Sequence, residues 1–314
     1  MEEIIKCQNI KKIYRVKKRN KIAVENLSFS LCKNEILGFI GVNGAGKSTT
    51  IKMLTGILLP TEGEINVLGH KPYYERKKIL KKIGVVFGQR SQLIWDLPAI
   101  DTFRLHGKIY ELSNKEFKEN MECIFSYLNV NEIMNIPVRQ MSLGQRMCCE
   151  IVAALIHMPE ILFLDEPTIG LDVFNKENIR NLVRKLKENL GMSVLLTSHD
   201  MEDIEQLSDR IIIVDKGRKL YEGTRHDLGN LCGNIGKIVI DGKEKDSNIY
   251  PEWIIKKERL LNQIVVHYRK DLIMPGEVID WLSDAFEDIK DFSISSVNLE
   301  ETIKNIYKIE KRES

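Results

Sequence analysis

The sequence predicts an α/β protein whose core is a mostly parallel sheet covered by helices. Short apolar segments alternate with amphipathic segments from residue 1 to about residue 225, which is the pattern of strands and helices in such a sheet. A glycine-rich loop lies between one apolar strand and the next helix. After about residue 223 the composition changes, and glycines interrupt the chain at Gly229, Gly233, Gly236 and Gly242. We therefore expect one large domain over residues 1–223 and a smaller one over residues 224–314.

Four short runs of apolar residues are expected to form strands buried on both faces, because helices cover both sides of a parallel sheet. They span residues 35–40, 83–87, 161–164 and 192–196. Between about residues 97 and 158, apolar residues such as Phe103, Ile109 and Phe117 follow helical spacing. This stretch is expected to be a helical subdomain inserted into the core.

The C-terminal stretch, residues 224–314, is expected to be a small α+β appendage. Strands are predicted around residues 236–241, 262–268 and 289–296. Helices are predicted between and after them, around residues 276–286 and 299–309.

Length and charge exclude several classes of protein. The 314 residues are 43% hydrophobic, which is enough to bury real cores. Lys and Arg number 47 against 45 Asp and Glu, so the chain has no strong basic field and we expect no nucleic-acid partner.

The longest runs without a charged residue, 36–46 and 189–199, are about half the ~20 residues that a membrane-spanning helix needs. The start also lacks the pattern of a secretory signal, so we expect a cytoplasmic chain that does not itself cross the bilayer.

The glycine-rich loop has the spacing G-x-x-x-x-G-K-[ST] of a phosphate-binding loop. Its glycines let the backbone approach phosphate oxygens, and the helix that follows, from Lys47 to about Gly56, presents its positive end to the same anion. Lys47 is expected to contact the β- and γ-phosphates and Ser48 to ligate Mg²⁺. The predicted nucleotide-binding residues of the loop are Gly41, Asn43, Gly44, Ala45, Gly46, Lys47, Ser48 and Thr49.

Two acids, Asp165 and Glu166, follow the predicted strand over residues 161–164. At the carboxyl end of a nearby parallel strand they would lie beside the phosphate-binding loop. Asp165 is then expected to hold Mg²⁺, and Glu166 to orient or deprotonate the water that attacks the γ-phosphate. Acids in such a position are often helix N-caps, but the loop upstream favours the catalytic interpretation.

In this order the motifs resemble those of the ATP-binding subunits of ABC transporters, and the likeness covers about residues 3–223. The resemblance implies a P-loop NTPase core with an antiparallel β subdomain and an inserted helical subdomain, binding of ATP and Mg²⁺, and ATP hydrolysis. Further residues match motifs of the family. Tyr14 matches the aromatic residue that stacks on adenine, Gln89 the glutamine that follows a strand, and residues 141–145 the signature. Asp172 lies in the short loop after the acids, and His199 matches the switch histidine.

The resemblance also implies catalytic roles. Gln89 would sense Mg²⁺ and the attacking water, so it is expected both as a metal ligand and in catalysis with Lys47, Glu166 and His199. His199 follows the strand predicted over residues 192–196, whose carboxyl end would lie next to that of the strand carrying Asp165. On its own, His199 could instead be an ordinary residue at a helix start.

The signature residues Ser142, Gly144 and Gln145 lie at the start of an apolar helix predicted over residues 145–158, and a helix N-terminus suits an anion. In the family, the signature of one subunit faces the γ-phosphate bound by another. The resemblance therefore implies a second ATP-binding subunit, either a copy of this chain or a paralogue. Leu143 departs from the usual glycine, which restricts close approach of the backbone to a phosphate.

Residues 87–98 resemble a bacterial exporter subgroup related to drug and antibiotic exporters. In the family this region receives the force that a cytoplasmic helix of the membrane subunit exerts. The resemblance therefore implies permease subunits as partners and a position on the cytoplasmic face of the cell membrane. Trp95 and Leu97 suit a docking surface, although packing of Trp95 inside its own subdomain is an equal alternative.

The motifs leave two alternatives to transport. An ATPase of the same family acting on DNA or ribosomes would carry long coiled coils between its motifs or a second ATPase domain, and the sequence shows neither. A GTP-binding switch would carry Asn-Lys-x-Asp, whereas residues 175–178 read Asn-Lys-Glu-Asn. For the appendage, regulation, dimerisation and scaffold extension stay open, and our prediction is that it strengthens subunit pairing.

Overall fold

The computed structural model describes residues 2–16, 19–88, 90–128, 130–224, 227, 235–245, 251–260 and 263–296. Two compact units make up the chain, Met1–Gly223 and Thr224–Ser314. Each unit has a hydrophobic core of its own.

Six strands form the central sheet of the first unit: β3 (Ile36–Ile40), β5 (Ile83–Phe87), β6 (Ile161–Asp165), β7 (Ser193–Ser198), β8 (Arg210–Asp215) and β9 (Arg218–Thr224). Their order is β5-β6-β7-β3-β8-β9, and the pairings from β5 to β8 are parallel. Strands β3, β6 and β7 are buried along their full length, as expected for the central strands of a parallel sheet that is covered on both faces. The four predicted strands are confirmed, and the carboxyl ends of β3, β6 and β7 meet at one edge.

Four helices belong to this α/β core: α1 (Lys47–Leu54), α2 (Arg76–Leu80), α6 (Val173–Leu190) and α7 (Met201–Leu207). Helix α1 follows β3 through the glycine-rich loop, as predicted. Helix α6 buries Ile179, Val183 and Leu186, and Gly191 ends it in the left-handed conformation. Among the described residues, no helix is long and apolar enough to span a membrane.

An antiparallel sheet of three strands packs on the same core: β1 (Glu3–Val16), β2 (Arg19–Cys32) and β4 (Glu62–Val67), in the order β2-β1-β4. Ile5 and Leu31 of this sheet are fully buried and share one cluster with Phe39 of β3 and Ile51 of α1. This is the antiparallel β subdomain that the resemblance implied.

The stretch after β5 is helical, as its apolar spacing predicted. It contains α3 (Ala99–Ile109), α4 (Asn114–Tyr127), a 3-10 turn (Val138–Gln140) and α5 (Leu143–Leu155). Capping boxes begin α4 at Ser113 and α5 at Ser142, in each case with the side chain at N3 returning to the cap. Helix α5 therefore begins at Leu143, slightly earlier than predicted.

In the described part of the second unit, four antiparallel strands form a sheet with one helix against it. Its elements are β10 (Ile235–Glu244), β11 (Ile254–Leu260), β12 (Gln263–Arg269), a 3-10 turn (Lys270–Leu272), α8 (Pro275–Ala285) and β13 (Phe286–Ser296), and the strand order is β11-β12-β10-β13. Ile238 and Val266 of the sheet pack with Val278 and Leu282 of the helix in one buried cluster.

Sequence and structure agree on most of this second unit. The three predicted strands and the helix predicted around residues 276–286 are confirmed. Strand β11 was not predicted because Lys256, Lys257 and Glu258 interrupt its apolar pattern. The helix predicted around residues 299–309 lies outside the described residues.

Candidate nucleotide-binding site

The glycine-rich loop between β3 and α1 takes a shape that only glycine permits at several positions. Gly44 and Gly46 have φ angles of 86° and 106°, in the region that side chains disfavour. A Cβ on Gly46 would lie 2.5 Å from the carbonyl oxygen of Ala23, and one on Gly41 would lie 2.6 Å from that of Val214. Because Gly46 caps α1 and has no side chain, the first amides of that helix remain available to an anion.

Lys47 is the first residue of α1, and its side chain is only 5% exposed. Its ammonium group donates a hydrogen bond of 2.5 Å to the carbonyl oxygen of Gly41 and lies 3.1 Å from Glu166 Oε1. The buried charge is therefore paired with an acid from the end of another strand, as buried charges must be.

Asp165 ends β6 and contacts two hydroxyl groups. Ser48 Oγ donates to Asp165 Oδ1 over 3.0 Å, and Thr197 Oγ1, at the end of β7, donates to the same oxygen over 2.7 Å. Carboxylate and hydroxyl oxygens are the hard ligands that Mg²⁺ prefers. Ser48 and Asp165 are thus placed together as predicted, and their donor set fits this ion.

Glu166 is fixed by both backbone and side chain. Its φ angle of 57° is left-handed, which is uncommon for a residue other than glycine. Its N–H donates to the carbonyl oxygen of Thr197 over 3.0 Å and contacts Thr197 Oγ1 at 3.1 Å. One carboxylate oxygen faces Lys47 and the other bonds His199 Nδ1. Glu166 is therefore not a helix N-cap; the next helix, α6, is capped by Asp172.

His199 follows β7 and leaves its imidazole half exposed. The N-cap of the following helix α7 is Asp200, so His199 directly precedes a helix start, and it also bonds Glu166 across the strands. Thr197 was missed by the sequence analysis. No local sequence pattern marked it, because its contact with Asp165 depends on the register of β7 with β6.

Lys47, Ser48 and Glu166 line an open cleft of about 520 Å³ together with Tyr14, Asn43 and the other residues from Gly44 to Thr49. Asp165 lines an adjoining cleft that also contains Ser48 and Glu166, and the predicted residues Gly41 and His199 line neither of these two. Tyr14 pairs with Lys21 in the hairpin of β1 and β2, and both line the cleft with Arg15. The sequence analysis did not assign Arg15 or Lys21 to the site, although both belong to a run of basic residues. Gln89 lies outside the described residues.

The signature residues do not line this cleft. Ser142 caps α5, accepts a hydrogen bond of 3.2 Å from Gln145 N and donates its own N–H to Gln145 Oε1 over 2.9 Å. Gly144 is buried, and a Cβ there would meet the side chain of Asn175 at 2.4 Å. Among the described residues, Ser142, Gly144, Gln145 and Asp172 are all absent from the lining of the cleft around Lys47.

Asp172 is joined to the signature through Asn175. Asp172 accepts hydrogen bonds from Asn175 N at 2.9 Å and Asn175 Nδ2 at 2.6 Å, and these bonds hold the pKa of its carboxyl below the usual range. The Leu143 side chain approaches Gly170, so the leucine that replaces the family's usual glycine covers the loop ahead of Asp172.

A third surface feature is the segment of residues 90–98, here named the docking loop. Ile94, Trp95 and Leu97 are exposed by 39%, 53% and 41%. Trp95 is thus not enclosed in its own subdomain, although the Arg146 guanidinium lies over its ring at 5.8 Å. An exposed apolar cluster of this kind is typical of a protein-binding surface.

Comparison with known proteins identifies the family. The sequence profile of the family described as ABC transporter matches residues 24–169. Linearmycin resistance ATP-binding protein LnrL of Bacillus subtilis (strain 168) is 39% identical over 233 residues, covering 74% of this chain and 72% of LnrL. Nod factor export ATP-binding protein I of Sinorhizobium fredii (strain NBRC 101917 / NGR234) is 35% identical over 238 residues, covering 76% of this chain and 67% of its own length.

The fold matches as well. The dimeric structure of a post-hydrolysis state of the ATP-binding cassette MJ0796 bound to ADP and Pi superposes with a TM-score of 0.64 at 28% identity, over 70% of this chain and 98% of that one. Sequence motifs, loop geometry and fold therefore agree, and the chain belongs to the ATP-binding subunits of ABC transporters, the ATPases that drive transport.

Proposed function

We propose that this chain is the ATPase subunit of an exporter and that it binds Mg²⁺-ATP between two copies of itself or between itself and a paralogue. The observation that carries the proposal is the meeting of Lys47, Ser48, Asp165, Glu166 and His199 at one edge of the sheet. Relatives named for linearmycin resistance and Nod factor export support export as the direction of transport.

The cleft accounts for substrate binding. The ring of Tyr14 would stack on adenine, the amides from Asn43 to Thr49 would surround the phosphates, and Lys47 would bind the β- and γ-phosphate oxygens. To do so, the Lys47 ammonium exchanges its contact with Glu166 Oε1 for one with phosphate. Ser48 and Asp165, with Gln89, would hold Mg²⁺, which neutralises phosphate charge.

Glu166 and His199 account for hydrolysis. Once Lys47 has turned to phosphate, the Glu166 carboxylate is available to orient the attacking water and accept its proton. His199 bonds the other carboxylate oxygen, so it restricts the carboxylate to one orientation. The left-handed backbone of Glu166 and the two contacts of its N–H with Thr197 fix where that carboxylate starts.

The signature accounts for pairing. Ser142 and the N-terminal amides of α5 form an anion site that the chain's own cleft does not include, so we assign it to the nucleotide of a second subunit. Asp172 and the exposed side chains of Val173 and Phe174, which are 83% and 75% exposed, would lie in the same interface. The docking loop would contact a permease, which holds the subunit at the cytoplasmic face of the membrane.

Two measurements on the purified protein test this function. Wild-type protein should hydrolyse ATP in a Mg²⁺-dependent way and faster than GTP. The Glu166→Gln variant should retain ATP without hydrolysis and elute as an ATP-dependent dimer, because the amide cannot accept the proton of water. A Glu166→Gln protein that neither traps ATP nor dimerises beyond wild type contradicts the proposal.

For the second unit we propose a role in strengthening subunit pairing. The chain shortened after Gly223 should dimerise with ATP less tightly than the full chain, measured by sedimentation at equal concentration. Equal dimerisation of the two proteins removes support for this role.

A further inference from the structure

Glu150 is a buried acid outside the nucleotide cleft. It lies on α5 with 4% exposure, and burial raises its pKa even though it accepts hydrogen bonds from Ser91 and Gln92. Ser91 Oγ donates to Glu150 Oε1, and Gln92 N donates to Glu150 Oε2 over 3.0 Å. Donors at the start of the docking loop thus satisfy an acid that would otherwise be costly to bury.

Helix α5 holds the docking loop at a second point. Arg146 is one turn before Glu150, so both side chains leave the same face of the helix. The Arg146 guanidinium lies 5.8 Å from the centre of the Trp95 ring, within the range of a cation–π contact. The helix that begins at the signature therefore contacts the loop both at its start and at Trp95.

The turn ahead of the signature holds the loop through its backbone. Arg139 N donates to the carbonyl oxygen of Trp95 over 3.0 Å, and Val138 N donates to that of Leu97 over 3.1 Å. The Arg139 guanidinium also donates to Asp96 Oδ1 over 3.2 Å. These contacts run from the docking loop to residues that lead directly into Ser142.

The sheet, by contrast, holds only the beginning of the loop. Arg90 N donates to the carbonyl oxygen of Phe87 over 3.1 Å, and Gln92 Nε2 donates to that of Val85 over 2.8 Å. Ile94 N donates instead to Thr102 Oγ1 of α3, over 3.2 Å. From Ile94 onward, the hydrogen bonds that the described residues make outside the loop go to the helical subdomain.

We propose that Glu150 is a positioning residue that fastens the docking loop to α5, so that Trp95 and Ser142 move as one body. The inference rests on the proposed function, which gives the docking loop a permease and Ser142 a nucleotide to meet. A push on Trp95 then reaches the signature through α5 and the turn at residues 138–140 without deforming the sheet. In reverse, contact of Ser142 with ATP displaces the docking loop.

Fluorine NMR of the full-length protein tests this coupling. The Glu166→Gln protein, labelled with 5-fluorotryptophan, gives a resonance for Trp95 that is assigned by its loss in Trp95→Phe. We expect Mg²⁺-ATP to shift this resonance. Glu150→Met keeps the side-chain volume but accepts no hydrogen bond, so the ATP-dependent shift should be lost, whereas Glu150→Gln still accepts from Gln92 N and should retain it. Glu119→Met, the same exchange at an exposed site on α4, should behave as the parent.

Binding of ATP, measured by calorimetry on the same proteins, separates the two claims. A parent protein that does not bind ATP overturns the proposed function. Retained ATP binding with no Trp95 shift in the parent, or with an unchanged shift in Glu150→Met, overturns the coupling. If Glu150→Met does not fold, Arg139→Ser removes the exposed bond to Asp96 instead. Its Trp95 shift should be smaller than that of the parent, and an equal shift overturns the coupling.

Discussion

Lys47 Nζ lies 3.1 Å from Glu166 Oε1, and both side chains are largely buried. One group belongs to the phosphate-binding loop and the other to the acidic end of β6, so the phosphate-binding cation and the proposed base neutralise each other directly. A γ-phosphate competes with Glu166 for the same ammonium group. In the proposed mechanism, binding of nucleotide would therefore release the base, so that Glu166 acts only when its substrate is in place.

The first prediction concerns Lys47. In Lys47→Met the volume is kept but the charge is lost, so affinity for ATP should fall by roughly 100-fold or more, the size expected for a charge-assisted contact worth about 3 kcal/mol. Calorimetric titration with Mg²⁺-ATP measures this. Lys185→Met, at an exposed position on α6 that lines neither this cleft nor the one beside Asp165, is the matched control and should bind ATP as wild type does.

The second prediction concerns His199. In His199→Ala the Glu166 carboxylate loses the partner that fixes its orientation, so kcat should fall by about 100-fold or more while KM for ATP changes little. Steady-state hydrolysis at saturating Mg²⁺ measures both constants. A large rise in KM at unchanged kcat would show instead that His199 serves binding rather than catalysis.

The third prediction concerns Thr197. Thr197→Val keeps the shape of a fully buried residue but removes the hydroxyl that donates to Asp165 and contacts the N–H of Glu166. Asp165 then loses one of the hydrogen bonds that fix its carboxylate, and hydrolysis should require a higher Mg²⁺ concentration. Thr55→Val is the control, because its buried hydroxyl only donates within α1. The same Mg²⁺ requirement in both variants would contradict the prediction.

The fourth prediction concerns stability at acid pH. Burial lowers the pKa of His157 from 6.5 to about 4; its ring stacks on Tyr110 at 3.7 Å, and its Nδ1 is buried without a hydrogen-bond partner among the described residues. Between these two pH values the unfolded chain binds the proton and the folded chain does not. Stability that is full above pH 6.5 should therefore fall toward pH 4, by about 3 kcal/mol from this one group.

Urea unfolding between pH 4 and 7 checks this dependence. His157→Phe keeps an aromatic ring against Tyr110 and loses the bond to the carbonyl oxygen of Ile83, so it should be less stable at pH 7 but lose less stability on acidification. Phe125→Leu, an apolar exchange on α4 that adds and removes no ionisable group, serves as the control and should keep the wild-type slope. Parallel curves for wild type and His157→Phe would count against the assignment.

The sequence was sufficient to predict the elements that have strong local patterns. The strand at residues 83–87 and the placement of Ser48 beside Asp165 followed from apolar runs and from the rule that parallel strands share a carboxyl edge. Strand β11 was missed because its lysines interrupt the alternation of apolar and polar residues that marks a strand. Glu150 and Thr197 could not be found in the same way, since their partners are distant in sequence and are set by the packing of α5 and the register of β6 with β7.

Sharing of the site between two subunits is the central claim, and mixing two inactive proteins in the Glu166→Gln background tests it most directly. Lys47→Ala lacks the phosphate-binding cation but keeps Ser142; Ser142→Arg blocks the signature but keeps Lys47. Each protein alone should trap no ATP. Their mixture should trap about one ATP per dimer, because one composite site is intact. A mixture that traps no more ATP than its two components do separately would contradict the claim.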